Sequence, residues 1–262
     1  MTFDISQFGF GITGKVPLGV VRELAPMVEQ AGFGSMWFNH ITAGNAYASM
    51  EAAAAVTNRI ILGSGVTSID SMMSANEIIQ EVHNRALPLD RLIIGIGANR
   101  PPSPLATVRD GIETIDDEFP GVPVYVGALG PKMRALGVQN SAGVLLNWLT
   151  PDAAHVAMDE RRRDAPDSEA KVALYIRCAM GVENQEAIRN EAARYESFPN
   201  YAANFHRLGF RAMDAAVAVS SPSDLKNRLA AYQGVVDQPI LRAITAEDSI
   251  ESYASLVESV KN

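Results

Sequence analysis

Residues 127–131, Gly127-Ala128-Leu129-Gly130-Pro131, stand between an apolar run at 122–126 and a helical stretch at 131–139. Pro131 suits a first helical position, because its fixed φ matches the helix and its missing N–H is not needed there. A glycine turn feeding a helix N-terminus presents unpaired backbone N–H groups at the positive end of the helix dipole. That is a cradle for an anion such as a phosphate. The same pattern also serves as a tight β-to-α turn with no ligand.

The turn has companions. Gly63, Gly95 and Gly127 each close an apolar run, and successive members lie 32 residues apart. That is the length of one strand-plus-helix unit. Gly9 and Gly11 hold a similar place near the start. Glycine at successive strand ends lets a ligand approach the backbone closely. The other expected strand ends, at Thr13, Asn39-His40, 65–68, 97–100, Asn147-Trp148, 180–182 and Thr245, hold mostly small, apolar and neutral polar groups. They contain no carboxylate–histidine cluster suited to a metal, no GxSxG elbow and no P-loop. Such a mouth suits a large flat cofactor that carries the chemistry itself.

The elements that position these residues alternate. Apolar strands are expected at 5–11, 35–38, 60–66, 92–97, 122–126, 143–146, 170–180 and 238–244. Amphipathic helices fall between them, the first at 17–31 with Val20, Val21, Leu24, Met27 and Val28 at helical spacing and Gly32 as its C′ residue. Eight β/α units predict an α/β fold, a (β/α)8 TIM barrel in a single domain. A doubly wound open sheet is the other arrangement of such units. Between strands seven and eight lies a short helical excursion, the most aromatic part of the chain, with Tyr195, Phe198, Tyr201, Phe205 and Phe210. Its segment 199–212 reads either as a lid over substrate or as a helix burying Tyr201, Phe205, Leu208 and Phe210 on the barrel or on a second subunit.

The 262 residues, 47% apolar, suit one large globular domain. A net charge of −8 argues against a nucleic-acid partner. The cluster Arg161-Arg162-Arg163 has acidic neighbours and reads as a solvated helix end. No apolar run approaches the ~20 residues of a membrane span, and no signal peptide is apparent. Cys178 is the single cysteine and sits in an apolar run, which points to a core position and a cytoplasmic location.

Segments 31–40 (AGFGSMWFNH), 57–68 (TNRIILGSGVTS), 89–98 (LDRLIIGIGA), 123–137 (PVYVGALGPKMRALG) and 143–151 (GVLLNWLTP) resemble, in order and spacing, the bacterial luciferase-like flavin monooxygenase superfamily. The likeness is greater to its coenzyme F-420 (deazaflavin)-dependent oxidoreductase branch and runs over about the first 150 residues. It implies one luciferase-like barrel domain over residues 1–262 and a reduced deazaflavin, or alternatively FMN, across the strand ends. By the resemblance, Gly127, Ala128, Leu129, Gly130 and Pro131 hold the cofactor phosphate, Gly65, Val66 and Thr67 lie behind the tricyclic ring, and Gly97 and Ala98 complete the cofactor-binding set. It also implies a cis or otherwise strained peptide between Ser64 and Thr67.

His40 matches a family histidine that contacts the reacting face or moves a proton, a task suited to an imidazole. The plainer alternative is a rim histidine bonded to a loop. Asn39 precedes it where many relatives carry an acid, so it can bind but cannot act as a base. Of the other histidines, His206 in the excursion is the one able to line a site, whereas His83 and His155 fall on helices. Trp37 and Trp148 belong to strand ends, where they could flank a ring or pack in the core.

The function expected is hydride transfer between coenzyme F-420 and a small organic substrate, in a homodimer with no metal and no membrane partner. The alternatives are an FMN-dependent luciferase-like monooxygenase and a non-catalytic cofactor- or ligand-binding barrel.

Overall fold

The computed structural model describes residues 3–261. In chain order its elements are β1 (Gly9–Thr13), α1 (Leu18–Ala31), β2 (Ser35–Asn39), α2 (Ala46–Ala54), β3 (Ile61–Ser64), β4 (Thr67–Ser68), α3 (Ala75–Asn84), β5 (Leu92–Gly97), α4 (Pro104–Glu118), β6 (Val124–Gly127), α5 (Pro131–Asn140), β7 (Gly143–Asn147), α6 (Pro151–Asp164), β8 (Lys171–Met180), α7 (Gln185–Glu196), α8 (Pro199–Leu208), β9 (Val217–Val219), α9 (Pro222–Ala230), β10 (Gln238–Ala243) and α10 (Ile250–Val260). The strands run parallel in the order β10-β1-β2-β3-β5-β6-β7-β8, and β10 also pairs with β8, which closes an eight-stranded barrel. This is the (β/α)8 fold expected from the alternation of patterns.

The strand period of two divides the apolar residues between two cores. Phe10, Ile12, Met36, Phe38, Leu62, Ile94, Ile96, Val124, Val126, Val144 and Leu146 face the surrounding helices. Trp37, Ile93, Tyr125, Leu145, Ala173, Tyr175 and Ile240 fill the barrel interior. Each large side chain buried in this way contributes about 1.5–3 kcal/mol. Helix ends are set locally. Ser74 and Glu77 form a capping box on α3, and Gly32, at φ 95°, ends α1 in the left-handed conformation.

The elements differ from the sequence expectation in three places. Residues 5–7 form a 3-10 turn capped by the Asp4 carboxylate, so the first strand begins at Gly9 rather than residue 5. The third strand is not continuous over 60–66. It breaks after Ser64, the Gly65–Val66 peptide is cis, and β4 resumes the pairing with β5. The irregular stretch after α8 contains a short strand, β9, which extends the edge of β8 outside the barrel. Cys178 is fully buried, as a core cysteine should be. Arg162 and Arg163, in the last turn of α6, are exposed beside Asp159 and Asp164.

A candidate active site at the C-terminal mouth of the barrel

Strand alternation carries the inward-facing set to the C-terminal ends, where the mouth divides into two unlike arcs. On the β3, β5 and β6 side the positions are Gly65, Gly97 and Gly127. On the side of β2, β7, β8 and β10 they are Asn39, Asn147, Arg177 and Arg242.

On the first side the glycines admit the protein's own atoms. A Cβ on Gly95 would lie 2.0 Å from the Ser64 carbonyl oxygen, and one on Gly127 would lie 2.9 Å from a Val66 methyl. A Cβ on Gly63 would meet the Trp37 ring at 2.6 Å. The 32-residue glycine period therefore serves strand and side-chain packing first. Val66, partly exposed, is the side chain laid over Gly97 and Gly127. The break in β3 is held by side chains. Ser64 Oγ accepts from the Gly95 N–H at 2.8 Å, and Thr67 Oγ1 pairs with the Tyr47 hydroxyl at 2.9 Å. Burial raises the Tyr47 phenol to about 12, so it stays protonated.

The turn at 127–131 borders this arc. Ala128 donates its N–H to the Leu145 carbonyl at 3.1 Å. Gly130 is the N-cap of α5, no side chain caps that helix, and Pro131 follows at its start. The first-turn N–H groups thus lack an intrahelical or side-chain acceptor. Beneath the turn, buried Arg134 donates to the Leu129 carbonyl at 3.2 Å and pairs with Glu160 at 3.0 Å, which fixes the turn's shape. Gly97 is buried, while Ala98, Leu129 and Gly130 are partly exposed.

Asn39 ends β2 and His40 follows it, both partly exposed. His40 Nδ1 accepts from the Ala46 N–H at 3.4 Å, at the start of α2. The neutral ring therefore carries its proton on Nε2, the atom left free to donate. Burial holds the imidazole below its usual value, with the Glu81 carboxylate opposing. Asn39 Nδ2 donates to the Gly65 carbonyl, and its Oδ1 accepts from Arg242 Nε at 2.9 Å. It ties the β3 break to β10.

Arg177, Arg242 and Tyr175 are not legible in the sequence as mouth residues, whereas Asn147 falls at an expected strand end. Arg177 Nη1 donates to Asn147 Oδ1 and its Nη2 to the Tyr195 hydroxyl at 3.0 Å. Its guanidinium carbon lies 4.8 Å from the Trp148 ring centre and 4.9 Å from that of Tyr195. The signal available was an isolated arginine inside an otherwise apolar strand, a buried charge that requires partners. Asn147 Nδ2 donates to the Tyr201 hydroxyl at 3.0 Å, so α8 reaches the site while Phe205 packs on Trp148. The excursion thus buries an apolar face on Trp148 and touches the mouth through Tyr201. Trp148 is a core residue beneath α7 and α8, and Trp37 is a barrel-core residue bonded to Ser35 at 2.8 Å. Neither flanks an open ring site. His206 and His155 are exposed, and His83 pairs with Glu118 on the surface.

A closed parallel barrel with glycine-bordered strand ends defines a class, and sequence comparison names the family. The luciferase-like monooxygenase model matches residues 91–259, and the chain belongs to that family. The match extends through the second half, where the motifs quoted above are sparse. The 5,10-methylenetetrahydromethanopterin reductase of Methanolobus tindarius is 26% identical over 64% of this chain, which spans 64% of that relative's length. Among solved structures, an F-420-dependent secondary alcohol dehydrogenase in complex with an F-420–acetone adduct superposes with a TM-score of 0.74 at 14% identity, covering 98% of this chain and 99% of that one. The oxygenating constituent of 3,6-diketocamphane monooxygenase from Pseudomonas putida, in complex with FMN, gives a TM-score of 0.66 at 13% identity, covering 97% of both chains. No group of three or more metal-ligating side chains occurs among the described residues, and no helix there is long and apolar enough to cross a membrane.

Proposed function

We propose that this protein is an oxidoreductase exchanging hydride between coenzyme F-420 and a small organic substrate. The observation that carries the reading is the division of the mouth. One arc is a smooth wall of Val66 over glycine, bordered by the open N-terminus of α5, and the other is polar. A flat ring with a phosphate-bearing tail fits the first arc, and a second reactant fits between ring and polar arc. The similarity to a reductase and to an F-420-dependent dehydrogenase supports the choice of group.

Val66, Gly97, Ala98 and Gly127 would back the ring, with Gly65 and Thr67 holding the wall in place. Ala128, Leu129, Gly130 and Pro131 would receive the phosphate. When bound, the reduced deazaflavin supplies the hydride. His40 Nε2–H would hydrogen-bond the substrate oxygen on which negative charge develops, and the proton that oxygen finally takes comes from solvent. Asn39 holds the Gly65 carbonyl and Arg242 in fixed relation. Tyr201 and α8 would limit water at the mouth. A single domain over residues 1–262, a homodimeric assembly and a cytoplasmic location are part of the same proposal.

The second reading, reduced FMN with oxygen, is favoured by the likeness to the FMN-bound oxygenating subunit. Titration with F-420 and FMN, each in both redox states, separates the two. Micromolar binding of F-420 with weak FMN binding supports the first, and tight binding of FMN alone replaces it with the second. Binding of neither leaves a non-catalytic barrel.

A further inference from the structure

Arg177 and Arg242 are paired in register on the neighbouring strands β8 and β10, so both guanidiniums enter the mouth from one arc. They are 1% and 5% exposed. Among the described residues, the carboxylate that pairs with this couple is Glu191 of α7, 3.9 Å from Arg177 Nε. It is shared with Arg194, 2.8 Å away. The Asn39, Asn147, Tyr195 and Ala243 oxygens that accept from the two arginines are neutral. Two buried cations against one carboxylate that also serves Arg194 leave the arc short of at least one negative charge. Hydrogen bonding is incomplete in the same place. Arg242 uses Nε and Nη1, and its Nη2 has no partner among the described residues. The buried Tyr175 hydroxyl has no hydrogen-bond partner, and Arg177 Nε has the Glu191 ion pair but no hydrogen bond. The cationic groups acting on that hydroxyl are the same two arginines. A buried charge left without its counter-charge is costly, and folds retain such groups where something else supplies it.

We propose that the second reactant carries a carboxylate, received by Arg242 with Arg177 as the second positive charge and the Tyr175 hydroxyl as a further donor. A planar guanidinium fork matches a carboxylate. The position is distinct from the turn at 127–131, which follows β6 on the other arc. The inference rests on the reading of the mouth as the reaction site and names its substrate class.

The test is calorimetric titration of the whole protein, with and without F-420, using acetate, pyruvate and benzoate and their uncharged counterparts acetamide, acetone and benzamide. At least one carboxylate should bind saturably and at least tenfold tighter than its counterpart. Arg242→Gln should weaken that binding at least tenfold and leave the uncharged compound unaffected. Arg242→Lys, which keeps the charge and loses the fork, should fall between, and it decides the matter if the glutamine variant fails to fold. Equal binding of charged and uncharged members, no binding by any carboxylate, or wild-type affinity in the folded variants overturns the proposal. Carboxylate binding without F-420 binding would sink the deazaflavin reading and leave the anion site standing.

Discussion

The Tyr175 hydroxyl lies where a side chain on Gly65 would have to go. A Cβ at position 65 would stand 2.2 Å from that oxygen and 2.9 Å from a Leu145 methyl. Both neighbours belong to the packed barrel interior and have little room to move. The contact joins β8 to the break after β3, across the barrel.

Gly65→Ala should therefore destabilise the protein by about 1–3 kcal/mol through overpacking. Urea unfolding measures the loss. Because the Tyr175 hydroxyl has no partner, Tyr175→Phe in the same chain should recover part of it. No recovery would place the cost elsewhere.

His40 should make stability depend on pH in a defined direction. Its folded pKa is held below the ordinary value of 6.5 by burial. Between the two values the unfolded chain binds more protons than the folded one, so stability is fully present above about pH 6.5 and is lost as pH falls through the lowered folded value. His40→Gln should flatten that part of a denaturant-midpoint profile. In turnover assays, His40→Ala should reduce the rate by roughly 100-fold, the scale of a lost hydrogen-bond donor to a developing oxyanion, with F-420 affinity little changed. Unaltered turnover would remove His40 from the mechanism.

Gly130 separates charge from bulk at the phosphate turn. Nothing lies within 4 Å of a Cβ built there, and its φ of −98° is open to any residue. Gly130→Ala should leave stability and cofactor affinity nearly unchanged. Gly130→Asp should weaken F-420 binding about tenfold, since a carboxylate at the N-terminus of α5 competes with a phosphate for the same N–H groups. Equal effects of the two substitutions would count against the turn as the anion site.

Tyr201 couples α8 to the mouth through its bond from Asn147. Tyr201→Phe leaves a partly buried amide donor without its acceptor, a cost of about 1 kcal/mol. Faster hydrogen exchange in α8, with exchange in the barrel strands unchanged, is the expected signature.

The helix starts and the strand alternation were legible because they are local. Gly32 closes α1, Ser74 caps α3 and Pro131 opens α5 by the conformational preferences of those residues alone. The start of β1 was misread because Ile5 is buried yet belongs to a turn capped by Asp4, and burial by itself does not distinguish strand from turn. The glycine period was legible as spacing, but its cause was not. Gly95 is small because the Ser64 carbonyl crosses it, and nothing near residue 95 in the chain reports that.

The residues that line the mouth divide in the same way. Asn39, His40 and the turn at 127–131 fall at the ends of readable strands, so position along the chain was enough to name them. Arg177 and Arg242 are 65 residues apart in sequence and neighbours in the barrel. The apolar pattern by itself determined that eight strands alternate with helices, because each strand must bury two faces and each helix one stripe. Closure of β10 onto β8 decided which charges meet, since only tertiary structure sets two distant guanidiniums side by side and leaves one carboxylate to share between them.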